Sequence, residues 1–182
     1  MILSIPYQVF DVSNIHLTNF IKDKYGKTIA KLSYKDKLID FHDVSILSPP
    51  LRVIDYNADN SRLRLDLSEF INFQIKINTL YEYLINTLYI HQTKFFNYEN
   101  VAHEYIRNLF YFIVDSSTLS LYIYPTAFIM KESNVYTHVS QLKPGDVIRC
   151  IIRLQGISQI SNRQDMRLRL HHSVPSIWLV DG

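Results

Sequence analysis

The amino-acid sequence predicts an α+β protein that is mainly β, with two helices placed between two sets of strands. Apolar and charged residues alternate in residues 62–67 and again within the closing stretch 143–180, and such alternation is typical of half-buried strands. Between these stretches, apolar residues recur at steps of three and four over residues 69–91, which is typical of an amphipathic helix. This order of elements is compatible with an α+β fold or with a small barrel that has helices packed at one end.

Length and composition limit the class of protein. A chain of 182 residues with 47% hydrophobic residues can form one domain, residues 1–182, and bury a core without disulfides. Its formal net charge is only +2, so any affinity for nucleic acid has to come from a local basic patch. The single cysteine, Cys150, excludes a disulfide framework and indicates a reducing compartment.

Targeting signals are not evident. No apolar run approaches the roughly 20 residues that span a bilayer, and the first ten residues lack the basic start of a signal peptide. We therefore expect a soluble intracellular protein that makes no use of a membrane.

The N-terminal third of the chain reads as short extended segments. Residues 2–10 form a weak strand, which Pro6 restricts to the edge of a sheet. Residues 27–41 predict a hairpin around a Lys-Asp-Lys turn. Pro49 and Pro50 then force an extended crossing that can neither continue a helix nor donate to a strand ladder.

The middle of the chain changes period. Residues 62–67 alternate, with leucines inward at 63, 65 and 67 and with Arg62, Arg64 and Asp66 outward. A helix is predicted over residues 69–91 with Ser68 as its N-cap, and a second helix over residues 100–114.

Strand character resumes at residues 119–130. This segment places Tyr122 and Tyr124 on one face and Leu121 and Ile123 on the other, until Pro125 bends or ends it. A further extended piece over residues 135–139 leads to a turn at residues 143–146, because Pro144 and Gly145 are typical turn residues.

The closing stretch predicts two strands that pair with each other. In the first, Cys150 and its apolar neighbours face the core while Arg149 and Arg153 face outward. In the second, leucines alternate with Arg167, Arg169 and His171. Pairing would lay an apolar face on the core and a row of cations towards solvent. Such a row is either a solvated sheet face or a surface for a polyanion.

Residue patterns that carry catalysis are missing from the sequence. His171 and His172 are adjacent, but neighbours in a strand point to opposite faces and cannot easily share a metal ion. No glycine-rich phosphate loop occurs, and Cys150 is predicted to be a buried thiol. We therefore expect neither an enzyme nor a cofactor or metal site.

Binding of single-stranded nucleic acid needs cations for the phosphates and rings for the bases. The outward positions supply eight candidates: Arg62, Arg64, Tyr122, Tyr124, Arg149, Arg153, Arg167 and Arg169. If about five phosphates were neutralised, the slope of log affinity against log salt would be about −3.5. The alternatives are half-buried tyrosines and arginines paired with neighbours such as Asp66.

Segments spread over residues 29–180 also carry a family resemblance. They are LIDFHDVSILSPPLRV, RLRLDLS leading into FQIKINTLYEYLINTLY, SLYIYPTAFIM, and KPGDVIRCIIRLQGI with RLRLHHSVPSIWLV. Together they resemble the OB-fold single-stranded DNA-binding proteins of nucleocytoplasmic large DNA viruses of the African swine fever virus type, related to those of short-tailed phages.

The resemblance implies a five-stranded OB-like barrel with a two-helix insertion, and sequence-independent coating of single strands during viral DNA replication. It further implies no catalysis, replication proteins as partners, and a location at viral replication sites in the host cytoplasm or nucleus. Binding of RNA and a homo-oligomeric state stay open. Two other functions are compatible with the same β-face: a viral structural or protein-interaction module, and a duplex-binding replication or transcription accessory factor.

Overall fold

The computed structural model describes residues 3–131, 135–161 and 165–180 of the chain. It confirms an α+β fold that is mainly β. The strands are β1 Ile5–Pro6, β2 Ile15–Lys22, β3 Thr28–Lys35, β4 Asp40–Phe41, β5 Val44–Leu47, β6 Leu51–Asn57, β7 Arg62–Asp66, β8 Phe110–Tyr111, β9 Val114–Asp115, β10 Thr118–Tyr122, β11 Phe128–Met130, β12 Tyr136–His138, β13 Val147–Ser161 and β14 Met166–Leu179. The α-helices are α1 Ile71–Ile90, α2 Gln92–Phe96 and α3 His103–Leu109. No helix in the described ranges is long and apolar enough to span a bilayer.

The hairpin of β13 and β14 is the central element of the sheet. The two strands pair antiparallel from Ile148 opposite Leu179 to Ser161 opposite Met166, as the sequence predicted. Because β13 has 15 residues, its other edge accommodates β6, β5 and β3 one after another. Strands from the first third of the chain are therefore held in place by its last third.

The apolar faces of these strands meet α1 in the core. Ile152 and Leu154 of β13 are buried with Leu170 of β14, and they line the same small space as Phe73 and Ile77 of α1. Each side chain of this kind contributes roughly 1.5 to 3 kcal/mol when it is fully buried. The predicted inward face of the closing strands is therefore confirmed, as is the amphipathic helix that covers it.

The predicted five-stranded barrel with a two-helix insertion is not confirmed. The described residues form one sheet of 14 strands, whose longest path runs β12-β11-β14-β13-β6-β7-β10-β9 and does not close. The outer edge of β14 is occupied in part by β8 and β11, which both pair with it in parallel. Between these two strands, the backbone N–H of Tyr122 in β10 donates instead to the side chain of His172, over 3.0 Å.

Both predicted helix boundaries need correction. Ser68 is not the N-cap, because α1 begins after Phe70 and the Ser68 N–H donates to the carboxylate of Asp66. The second helix is shorter than residues 100–114 and ends at Leu109. After it, the backbone of β8 pairs with Leu168 and Arg169 of β14, so sheet pairing replaces the last helical turn.

The shorter elements agree with the sequence. β1 has two residues and lies at an edge, where it pairs in parallel with β5. β3 and β4 form the predicted hairpin, whose turn is held by the Asp36 carboxylate, an acceptor for the N–H groups of Leu38 and Ile39. The turn before β13 is closed by a bond from the Asp146 N–H to the Lys143 carbonyl, and Gly145 takes a φ of +94° there.

Candidate nucleic-acid interface

The outward faces of β7 and β10 bring an arginine and two tyrosines together. Leu63 and Leu65 are fully buried, so the alternation of β7 turns Arg62 outward. Tyr122 lies directly opposite Arg62 in the antiparallel pair of β10 and β7. The Tyr122 and Tyr124 rings pack edge to face with centroids 5.2 Å apart, and their exposed fractions are 49% and 65%. Two rings beside one cation are therefore open to a ligand.

His172 joins this corner to β14. Its Nε2 accepts the Tyr122 N–H, and its Nδ1 lies 3.3 Å from the Leu170 carbonyl oxygen, which fits the neutral tautomer with hydrogen on Nδ1. Burial lowers the pKa of His172, and the positive charges of Arg169 and Arg62 act in the same direction. The imidazole is therefore a neutral bridge between two strands that do not pair through their backbones.

His171, the next residue of β14, contacts a lysine from the turn between β2 and β3. Lys27 Nζ lies 2.9 Å from His171 Nδ1. Burial lowers the pKa of Lys27, while Asp23 raises it and Arg169 lowers it further. The pKa of His171 is also lowered, first by burial and then by Lys27, His172 and Arg169, while Asp23 raises it. Lys27 and Arg169 therefore place two positive charges near His171, against the one carboxylate of Asp23.

Tyr111 of β8 extends the surface along β14. The Arg167 guanidinium carbon lies 4.5 Å from the centroid of the Tyr111 ring, and that of Arg169 lies 5.8 Å from it. Both distances fit cation–π contacts, each worth about 0.5 to 1 kcal/mol at an exposed site. The buried Nε–H of Arg167 donates to no atom of the described residues.

These contacts define one surface, which we call the basic–aromatic strip. Its members are Tyr111, Arg167, Arg169, Lys27, His171, His172, Arg62, Tyr122 and Tyr124. Two surface pockets of about 410 and 370 Å³ lie along it, and both are lined by Gln155 and His171. The strip is therefore concave where its two halves meet.

Two of the eight predicted binding residues are already paired with carboxylates. Arg64 of β7 forms a two-bond ion pair with Asp55 of β6, including an Nε–Oδ1 distance of 2.8 Å, and this lowers the pKa of Asp55. Arg153 Nε lies 3.3 Å from the Asp43 carboxylate. The alternative that outward arginines pair with neighbours therefore holds for these two, although the partner of Arg64 is not Asp66.

Arg149 is exposed on the outward face of β13, as predicted, but it lies in another pocket. This pocket of about 320 Å³ is lined by Tyr7, Pro49, Pro50 and Phe70 as well as by Arg149. The structure thus brings Arg62, Tyr122, Tyr124, Arg167 and Arg169 into the strip and leaves Arg149 outside it.

Four members of the strip were not among the predicted binding residues: Lys27, Tyr111, His171 and His172. Lys27 and His171 are 144 residues apart, and a local sequence pattern cannot predict a contact between residues so far apart. The apolar period of residues 100–114 predicts that Tyr111 lies in a helix, whereas its backbone pairs with Arg169. One feature of the sequence could have indicated His171. It is the run Arg-Leu-Arg-Leu-His-His in β14, in which His171 continues the outward alternation of Arg167 and Arg169.

The single thiol of the chain lies in the core and not on the strip. Cys150 is fully buried, and burial raises the pKa of its thiol to about 11, while its Sγ lies 3.6 Å from the Ser48 hydroxyl. Within the described ranges, no group of three or more His, Cys, Asp or Glu side chains is arranged to hold a metal ion. What the strip offers is hydrogen-bond donors, positive charge and exposed ring faces.

Comparisons with known proteins give no match. No protein-family model matches the chain, and neither the curated proteins nor the solved structures contain a significantly similar one.

Proposed function

We propose that this protein binds single-stranded DNA without sequence preference. The observation that carries the proposal is the basic–aromatic strip, in which cations and exposed rings from β7, β8, β10, β14 and the turn before β3 lie on one surface. Cations neutralise phosphates, and aromatic rings stack on unpaired bases at roughly 1 to 3 kcal/mol per base. Tyr122 and Tyr124 lie beside Arg62, and Tyr111 lies beside Arg167 and Arg169, so both devices are present on the strip.

The composition of the strip favours single strands over duplex. Bases in a duplex are stacked on each other and offer no free face to a tyrosine, whereas unpaired bases do. Phosphate contacts and stacking carry little sequence information, because every nucleotide has a phosphate and a π-face. The strip therefore suits a coating protein better than a reader of base edges.

An OB-like arrangement is part of the proposal. The strands β10, β7, β6, β13 and β14 follow one another through antiparallel pairs, which supports equating them with the five strands of a partly open barrel. OB-folds bind oligonucleotides on the face of their second and third strands. In the proposed correspondence these are β7 and β10, which carry Arg62 and Tyr122.

The resemblance to viral single-stranded DNA-binding proteins supplies the biological setting of the proposal. We propose that the protein coats the single strands that are exposed during viral DNA replication, at replication sites in the host cytoplasm or nucleus. Replication proteins are the proposed partners.

Fluorescence anisotropy with labelled oligonucleotides tests the proposal. We expect binding to oligo-dT at low salt, weaker binding to a duplex of the same length, and similar affinities for single strands of mixed sequence. An oligo-rU arm measures discrimination by the 2′-hydroxyl. Absence of oligo-dT binding at low salt would refute the proposal, and equal affinity for both DNA forms would indicate a general polyanion surface.

A protein-interaction module is the second candidate, favoured by an aromatic cluster on β11 and β12. The Phe128 ring stacks on His138 with centroids 4.8 Å apart and meets Tyr136 edge to face, and all three side chains are exposed. Exposed rings of this kind are typical of protein interfaces. Association that persists at high salt and is lost in Phe128→Ala would favour this candidate, whereas salt-sensitive binding that Phe128→Ala retains would favour the strip.

A further inference from the structure

The contact between Lys27 and His171 is unusual for a solvent-facing pair, because both side chains are bases. Lys27 Nζ lies 2.9 Å from His171 Nδ1. When Lys27 is charged, it can donate to a neutral His171, but the two cannot both be charged at this distance without strong repulsion. Arg169, on the same outward face of β14, adds a further positive charge that acts on both.

We propose that Lys27, His171 and Arg169 form a binding site for one phosphate group of the nucleic-acid backbone. This inference rests on the proposed function and deepens it, since it assigns one phosphate to a position within the strip. Donors come from two separate parts of the chain, the turn before β3 and the strand β14. Lys27 and His171 line a pocket of about 370 Å³, which has room for a phosphate and its neighbouring sugar. Arg169 is not part of the pocket lining, but its charge acts on both residues.

The charges around His171 come from several elements. Lys27, His172 and Arg169 oppose its protonation, and Asp23 favours it. Lys31 and His42, with Asp43, line the same pocket, while Asp43 is itself paired with Arg153. The pocket therefore has an excess of cationic and basic groups over carboxylates, and an anion is the ligand that would relieve their mutual repulsion.

Proton uptake follows from this arrangement. Neighbouring cations and burial keep His171 neutral in the free protein at neutral pH, and a bound phosphodiester would offset those cations and raise the pKa of His171. A phosphodiester keeps one negative charge from about pH 5 to about pH 9, so the proton would be taken up by the protein. Affinity should then be highest below the pKa of the free protein and fall as pH rises through the pKa of the complex.

Oligo-dT affinity measured against pH, with a dye that does not titrate, tests the inference. If binding raises the pKa of His171 by about one unit, wild-type affinity should fall about tenfold between about pH 5.5 and about pH 8. In His171→Gln the amide oxygen can still accept from Lys27 but cannot titrate, so most of that fall should disappear. His91→Gln, at an exposed histidine outside the strip, is the matched control and should keep the wild-type profile.

Sulfate provides an arm that does not depend on DNA. It mimics a phosphate and keeps its charge over the same pH range. NMR titration of the His171 ring in sulfate and in chloride at equal ionic strength should therefore show a higher pKa in sulfate. If the wild-type protein bound no oligo-dT but still showed the sulfate effect, the proposed function would be refuted, while Lys27, His171 and Arg169 would stand as an anion site. DNA binding with an unchanged pH profile in His171→Gln, or a profile flattened only by His42→Gln, would overturn this inference alone.

Discussion

Replacing Arg62 by glutamine tests whether the strip, rather than the outward arginines in general, binds the phosphates. Arg62 is exposed, lies opposite Tyr122 and forms no ion pair with any described residue. Its neighbour on the same strand, Arg64, is held by Asp55. The two arginines therefore lie on the same face of the same strand, but only the guanidinium group of Arg62 is free to bind a phosphate.

The expected magnitude follows from the cations in the strip. The strip has four permanent cations, but Lys27 and Arg169 share one phosphate in the proposed site, so that with Arg62 and Arg167 three phosphates are contacted. At roughly 0.7 per phosphate, the slope of log affinity against log salt is about −2.1. Between about 50 and about 200 mM salt, affinity should fall about 20-fold. In Arg62→Gln the slope should be about −1.4, and affinity should fall only about 7-fold over the same range.

The assay is an anisotropy titration with labelled oligo-dT at several salt concentrations. The matched control is the double variant Asp55→Asn with Arg64→Gln, which removes an existing ion pair without changing the net charge. Its slope should stay at the wild-type value. Two results would refute the assignment of phosphate binding to the strip. The first is a control whose salt slope becomes as shallow as that of Arg62→Gln, and the second is a salt slope in Arg62→Gln equal to that of the wild type.

Three further predictions concern the ring, the sheet and the bridging histidine. Tyr122→Ala should weaken oligo-dT binding by about 5- to 150-fold, which is the equivalent of one lost base–ring stack. Tyr122→Phe keeps the ring and should bind almost normally in the same assay. Equal losses in the two variants would indicate a role for the hydroxyl group instead of the ring. Gly156→Ala should destabilise the protein by about 3 kcal/mol, because a Cβ there would lie 2.3 Å from the Ala30 carbonyl oxygen of β3; an unchanged melting temperature in calorimetry would contradict that close approach. Because the pKa of His172 is lowered in the folded state, the unfolded chain binds the proton more readily, so stability should fall as pH drops below about 6.5, by at most about 1.4 kcal/mol per pH unit for this group. Urea unfolding at several pH values should show a weaker fall in His172→Gln, and an identical fall would assign the acid sensitivity to other groups.

The faces of the strands could be predicted from the sequence because alternation is a local property. Leu63 and Leu65 are buried and Arg62 is exposed, and Cys150 is buried beside an exposed Arg149. A side chain in a strand points to the side opposite its neighbour whatever the strand pairs with. The partner strands were therefore not needed for these assignments.

Element ends were harder to predict because other parts of the chain decide them. The apolar period of residues 100–114 suits a helix, yet the backbone of Phe110 and Tyr111 pairs with β14. At Phe110 and Tyr111, hydrogen bonds to a distant strand therefore outweigh the local helix propensity. The start of α1 differs for a local reason, because the Asp66 carboxylate holds the Ser68 N–H in a turn and the helix begins after Phe70.

The sequence by itself determined that this protein is mainly β, that its closing strands form a pair and that rows of arginines and tyrosines face outward. Only the tertiary structure decided which of these residues are available together. It pairs Arg64 with Asp55 and Arg153 with Asp43, and it brings Lys27 to His171. The physical reason is that side-chain orientation repeats every two residues along a strand, whereas the neighbour of a charge depends on strand register and on turns far away in the chain.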